Sequence, residues 1–137
     1  MTTPTKPEDK PPGSYRPLIG VVGPCASGKT TLTAGLNRLG YATRHIAQEH
    51  SYVKDMWQRL TRPDLLIFLD ASYPVTCARR RLDWTEAEYS EQQRRLAHAR
   101  QHANLYLDTD GLTPDEVLEQ VAAFVAGQFG KRPDAHQ

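Results

Sequence analysis

Three short runs of the chain are apolar almost without interruption: Leu18–Gly23 (LIGVVG), Leu65–Asp70 (LLIFLD) and Leu105–Asp108 (LYLD). Unbroken apolar runs of this length suit strands covered on both faces, as in a parallel sheet. A fourth segment, RHIAQ around residues 44–48, gives a weaker strand signal with an ambiguous period. Helical patterns fill the gaps. After the first strand, Leu32, Leu36 and Leu39 fall at helical spacing and Gly40 supplies a stop. Tyr52–Leu60 and the segment from Tyr73-Pro74 through Leu82 predict two more helices. Residues 85–102 predict one long helix, opened by Thr85 and Glu88 at capping-box spacing. The last helix opens with Thr113, Pro114 and Glu116, and carries an apolar stripe of Val117, Leu118, Val121, Phe124 and Val125. Strands alternating with helices predict a doubly wound α/β fold, with ligands at the carboxyl ends of the strands.

The turn after the first strand carries the chemistry. GPCASGKT, residues 23–30, has the spacing G-x-x-x-x-G-K-[ST] of a phosphate-cradling P-loop. Gly23 and Gly28 permit backbone angles that let successive N–H groups converge on one anion. Lys29 adds a positive charge able to reach β- and γ-phosphates, and Thr30 offers a hydroxyl to Mg²⁺. A helix beginning here adds its N-terminal dipole. The candidate nucleotide-binding set is therefore Gly23, Pro24, Cys25, Ala26, Ser27, Gly28, Lys29, Thr30 and Thr31.

Composition narrows the setting. The chain has 137 residues, 39% of them hydrophobic, with a formal net charge of +1. That is enough for one domain with a modest core, and too neutral for a protein that coats nucleic acid. The 2 cysteines, Cys25 and Cys77, form no C-x-x-C pair, which makes a reducing cytoplasm the default location. No signal peptide or membrane span is expected. Residues 1–16 read as a disordered proline-rich lead-in, 17–128 as the folded domain and 129–137 as a flexible tail.

GPCASGKTTL, PDLLIFLDASYPVTCARRR and LYLDTDGLTPDEVLEQV together resemble the small P-loop kinases, a group that includes thymidylate, shikimate, gluconate and adenylylsulfate kinases. The resemblance covers nearly all of residues 17–128 and implies a three-layer α/β/α P-loop NTPase fold on a short, about four-stranded parallel sheet. It also implies ATP and Mg²⁺ as cofactors and an arginine-bearing lid. In that family one lid arginine lies against adenine and others touch phosphate. The roles carry over most readily onto Arg79 and Arg81 of the Arg79–Arg81 cluster. The loop after the last strand, with Asp110 and Gly111, is expected near the base. The sequence departs from the family in one place. Only residues 41–64 separate the first helix from the LLIFLD strand, as if a strand-helix unit of the acceptor site were missing.

The acceptor site must then come from AQEHSYVKDMWQR, from the lid or from a partner. HIAQEHSYV resembles the place where nucleoside-type kinases carry an acid after a strand, near Mg²⁺ and the acceptor hydroxyl, which implies that Gln48 or Glu49 sits there. Glu49 is favoured as metal support or proton acceptor. Asp70, which ends an apolar run in the Walker-B manner, is the competing metal carboxylate. His50 and His45 are candidate assistants, although a lone histidine more often packs or sits on the surface. Tyr52 and Trp57 could stack on a ring but are more often core. Arg94, Arg95 and Arg100 read as a solvated helix face. The leading expectation is transfer of the γ-phosphate of Mg-ATP to a small hydroxyl- or phosphate-bearing acceptor, by a monomer or homodimer. The alternative is a nucleotide-dependent switch or slow ATPase acting through a protein partner. A nucleic-acid 5′-hydroxyl kinase ranks third, because the charge is so nearly balanced.

Overall fold

Strand β1 (Leu18–Val22) lies inside the sheet, flanked by β2 (Ala42–His45) and β3 (Leu65–Asp70), with β4 (Leu105–Asp108) beyond β3. All three pairings are parallel, so every strand ends at the same edge. This is the arrangement of the computed structural model, which describes residues 17–80 and 83–129. The expected lead-in over 1–16, the expected tail from 130 onward, and the lid candidate Arg81 lie outside the described residues. Phe129, assigned to the tail, is instead the last residue of the C-terminal helix and packs on the core.

Alternate side chains of β1 and β3 build two cores. Ile19, Val21, Leu65, Ile67 and Leu69 meet α1 (Lys29–Arg38) and α6 (Pro114–Phe129) through Leu32, Leu36, Val117, Val121 and Val125. Val22, Leu66 and Phe68 face the other way, onto Trp57 of α2 (Met56–Leu60) and Leu96 and Ala99 beside and within α5 (Ala97–His102). Helices thus cover both faces of a four-stranded parallel sheet, as the apolar runs predicted. The stripe on α6 is core, and both predicted capping boxes form. Thr85 and Glu88 exchange bonds at the start of α4 (Glu86–Arg95), and Thr113 and Glu116 do so before α6.

Four expectations fail locally, each for a tertiary reason. The strand expected over 44–48 sits at 42–45, because β1 offers partners only from Ala42 to His45; Gln48–His50 forms a 3-10 turn instead. The helix expected over 52–60 begins at Met56. The buried Gln48 amide accepts the Trp57 N–H at 2.8 Å and donates to the Val53 carbonyl, which holds residues 51–55 in a turn. The helix expected over 85–102 divides at Leu96, whose fully buried side chain and near-zero ψ separate α4 from α5. Finally, β4 is an edge strand with alternating burial, so Tyr106 is half exposed rather than covered.

The α2–α5 contact is pH-sensitive. The Trp57 indole N–H donates to His98 Nδ1 at 3.1 Å, and the His98 and His102 rings stack 4.3 Å apart. Desolvation, and then the charges of His102 and Lys54, push His98 below its ordinary value of 6.5. The unfolded chain therefore takes up this proton before the folded one does. Stability is complete above the unfolded value and declines as pH falls through it. His45 shifts in the same direction, through desolvation and then Lys29. Melting temperature should fall between about pH 7.5 and pH 5, and the fall should be shallower in His98→Gln, whose amide oxygen can still accept from Trp57.

Candidate functional site

The turn between β1 and α1 closes on itself in an unusual backbone path. Ala26 and Gly28 have φ of 66° and 103°, in the left-handed region. At Gly23 a Cβ would sit 2.0 Å from the Leu69 carbonyl oxygen, so only glycine lets the loop pass the end of β3. Gly28 is also the N-cap of α1, which has no side-chain cap and no acid in its first turn. Its partial positive charge is therefore not offset there by the protein.

Lys29 is the first residue of that helix and is only 6% exposed. Its ammonium donates to the Gly23 and Pro24 carbonyls at 2.8 and 3.0 Å, and pairs with Glu49 Oε2 at 3.0 Å. Glu49 is 3% exposed, and its other oxygen, Oε1, has no hydrogen-bond partner among the described residues. Parallel pairing accounts for the encounter. β2 lies beside β1, so the 3-10 turn after β2 emerges next to the loop after β1. Of the two acids named from the sequence, Glu49 is the one paired with Lys29. Asp70 is spent elsewhere: its carboxylate accepts from the Ala71 N–H, Gln93, Arg100 and Tyr106. Gln48 serves the fold, as described, and Thr30 is exposed on the first turn of α1.

Two cavities flank the loop. One, of about 280 Å³, is lined by Ala26, Ser27, Gly28, Thr31, Leu32, Arg79, Leu112, Pro114 and Val117. Its walls are mainly apolar. Asp110 and Gly111, expected here, do not line it; Asp110 instead accepts the Ser72 N–H, while Leu112 and Pro114 just beyond them do the lining. Arg79, expected in a lid, is fastened in place. It donates to the Ala26 carbonyl at 2.9 Å and to the hydroxyl and carbonyl of the buried Thr109 at 2.9 and 2.7 Å. Thr109 also reaches the Ser27 and Asp70 carbonyls, tying the loop to the ends of β3 and β4.

The second cavity, of about 500 Å³, is lined by Cys25, His50, Arg80, Trp84, Ala87, Glu88, Glu91, Gln92 and Arg95. Of the segment expected to build an acceptor site, only His50 contributes. Trp57 is core, and Tyr52 is 86% exposed with the Arg95 guanidinium 4.2 Å above its ring. Most of the walls come instead from the end of α3 (Tyr73–Arg80), from Trp84 and from α4. Arg80 lies over the Trp84 ring, and its buried Nε has no partner among the described residues. Arg95 bonds Glu91 and the Glu49 carbonyl, Arg94 pairs with Glu91 at the surface, and Arg100 is with Asp70 away from both cavities. Gln92 locks Cys25 through its N–H at 3.0 Å and its sulfur at 3.1 Å. Sequence reasoning passed over Trp84 and Gln92. The only signal was position, since both fall within or next to a helix that follows an arginine cluster.

No family model matches the chain, and no curated protein gives a significant match.

The glycines supply a direct check on the loop. Gly28→Ala has open space and should cost about 1–2 kcal/mol from its left-handed backbone alone. Gly23→Ala must also displace backbone, and should cost at least as much again, on the order of 2–4 kcal/mol. Urea unfolding of the two variants reads the difference.

Proposed function

We propose that the chain is an ATP-dependent phosphotransferase with a P-loop NTPase architecture, acting on a small acceptor that carries an anionic group. The observation that carries this reading is the placement of Lys29. A buried ammonium is held by the loop carbonyls and Glu49 at the head of an uncapped helix, with a cavity on either side of the loop. The mainly apolar cavity suits a base beside Arg79. The polar cavity, with Arg80, Arg95 and His50, suits the acceptor.

Three buried polar atoms around the loop support a polar ligand: Ser27 Oγ, Glu49 Oε1 and Arg80 Nε all lack partners among the described residues. Each is expected to cost about 1–3 kcal/mol if left so, and each is within or next to a cavity wall. Glu49 and the Thr30 hydroxyl fit Mg²⁺, a hard cation that takes oxygen ligands; when bound, the ion would neutralise charge on the phosphates. The chain's own residues do the rest. Lys29 exchanges its carbonyl partners for phosphate oxygens, and the α1 N-terminus adds its dipole. Glu49, once released by Lys29, takes the proton of an acceptor hydroxyl. Arg80 and Arg95 orient the acceptor's anion. Charge clamping and alignment of this sort supply most of what phosphoryl transfer requires.

A second reading is a switch or ATPase working through a protein. It draws on Tyr52 and Val53, which are exposed beside the site. ³¹P NMR with Mg-ATP and a pool of phosphorylated and carboxylated metabolites separates the two. A new phosphoester or phosphoanhydride signal supports the transferase, whereas ADP and free phosphate alone support the switch. Lys29→Ala should lower turnover by about 10²–10³-fold in either case, and turnover that survives it would overturn both.

A further inference from the structure

We propose that Cys25, Glu49 and His50 form a binding site for a thiophilic divalent cation, with zinc as the best fit, and that an ion held there inhibits the enzyme. The donor atoms of the three residues lie within 4.8 Å of one another. Cys25 Sγ is 3.8 Å from His50 Nε2, which is 3.7 Å from Glu49 Oε2. Zinc bonds of about 2.3 Å to sulfur and about 2.0–2.1 Å to nitrogen or oxygen place tetrahedral ligands roughly 3.4–3.6 Å apart. The two separations through His50 therefore need only a slight contraction, and the third, between Cys25 and Glu49, closes from at most 4.8 Å. A sulfur and an imidazole beside one carboxylate select zinc-like ions and disfavour Mg²⁺.

Two features prepare the site. Glu49 is buried with Oε1 lacking a partner among the described residues, so its carboxylate can accept another cation. Gln92 donates to Cys25 Sγ and accepts from the Cys25 N–H, which fixes the sulfur in position. His50 is exposed and can adjust to close the site. Cys25 and His50 both line the larger cavity, which leaves the fourth coordination position toward its interior. On binding, the Cys25 thiol releases its proton to solvent and its sulfur becomes a ligand. Lys29 opposes the ion, being 3.0 Å from Glu49 Oε2, but the ammonium retains the Gly23 and Pro24 carbonyls if the carboxylate turns.

The inhibitory role rests on the proposed function, since the ion takes Glu49 from catalysis; binding itself does not. Co²⁺ added to the full chain without nucleotide should give a thiolate-to-cobalt charge-transfer band in the near ultraviolet, and Zn²⁺ should displace it. The band should vanish in Cys25→Ser. In His50→Ala, an exposed position where folding is not at stake, binding should weaken by more than about tenfold. Lys29→Ala should bind the metal more tightly while losing nucleotide turnover, which separates this site from the nucleotide reading. No band in the native chain, or a band that persists in Cys25→Ser, overturns the proposal. With the band present, turnover indifferent to Zn²⁺, or no turnover at all, removes the inhibitory role and leaves the binding site standing.

Discussion

A buried ammonium has to be matched where it lies, and Lys29 sets that requirement at the centre of the molecule. Removing an isolated charge from water costs many kcal/mol unless partners replace the solvent. Two carbonyls of its own loop and the Glu49 carboxylate are those partners. The carboxylate reaches Lys29 only because β2 pairs with β1 in parallel and both strands end at the same edge. The ion pair therefore depends on strand order as much as on residue identity. It draws together two segments separated by a whole helix.

The loop is held on both flanks by different means. On one flank Arg79 and Thr109 connect its backbone to the ends of β3 and β4. On the other, Gln92 from α4 bonds Cys25 at two points. Each fastening borders one cavity, so the loop stays in place while the spaces beside it remain open. Cys25 lies both in the turn between β1 and α1 and on the wall of the larger cavity.

Much of the fold was legible. Unbroken apolar runs marked β1 and β3 because central strands are buried on both faces, and β4 by the same signal, although it proved to be an edge strand. Capping pairs marked α4 and α6 because a Thr and a Glu three residues apart satisfy the first N–H groups of a helix locally. The site was legible only where its residues are contiguous. Residues 23–30 form one loop, and spacing along the chain is spacing in space. Thr109 and Gln92 carried no motif, because their contacts with the loop span 82 and 67 positions of sequence; Trp84, held by its near neighbours Thr76 and Arg80, carried none either.

Sequence by itself determined the alternation of strands and helices, the glycine-permitted turn at residues 23–30 and the lysine within it, since these follow from local backbone preference and periodic burial. Tertiary structure alone shows which of Glu49 and Asp70 meets Lys29. Both are acids near the end of a strand, but Arg100 and Tyr106 occupy Asp70, while strand pairing brings Glu49 to Lys29. It also decided which residues wall the larger cavity. The helix expected over 85–102 had to break at Leu96 and lay α4 beside the loop, and burial of one leucine is settled by what packs against it rather than by its neighbours in the chain.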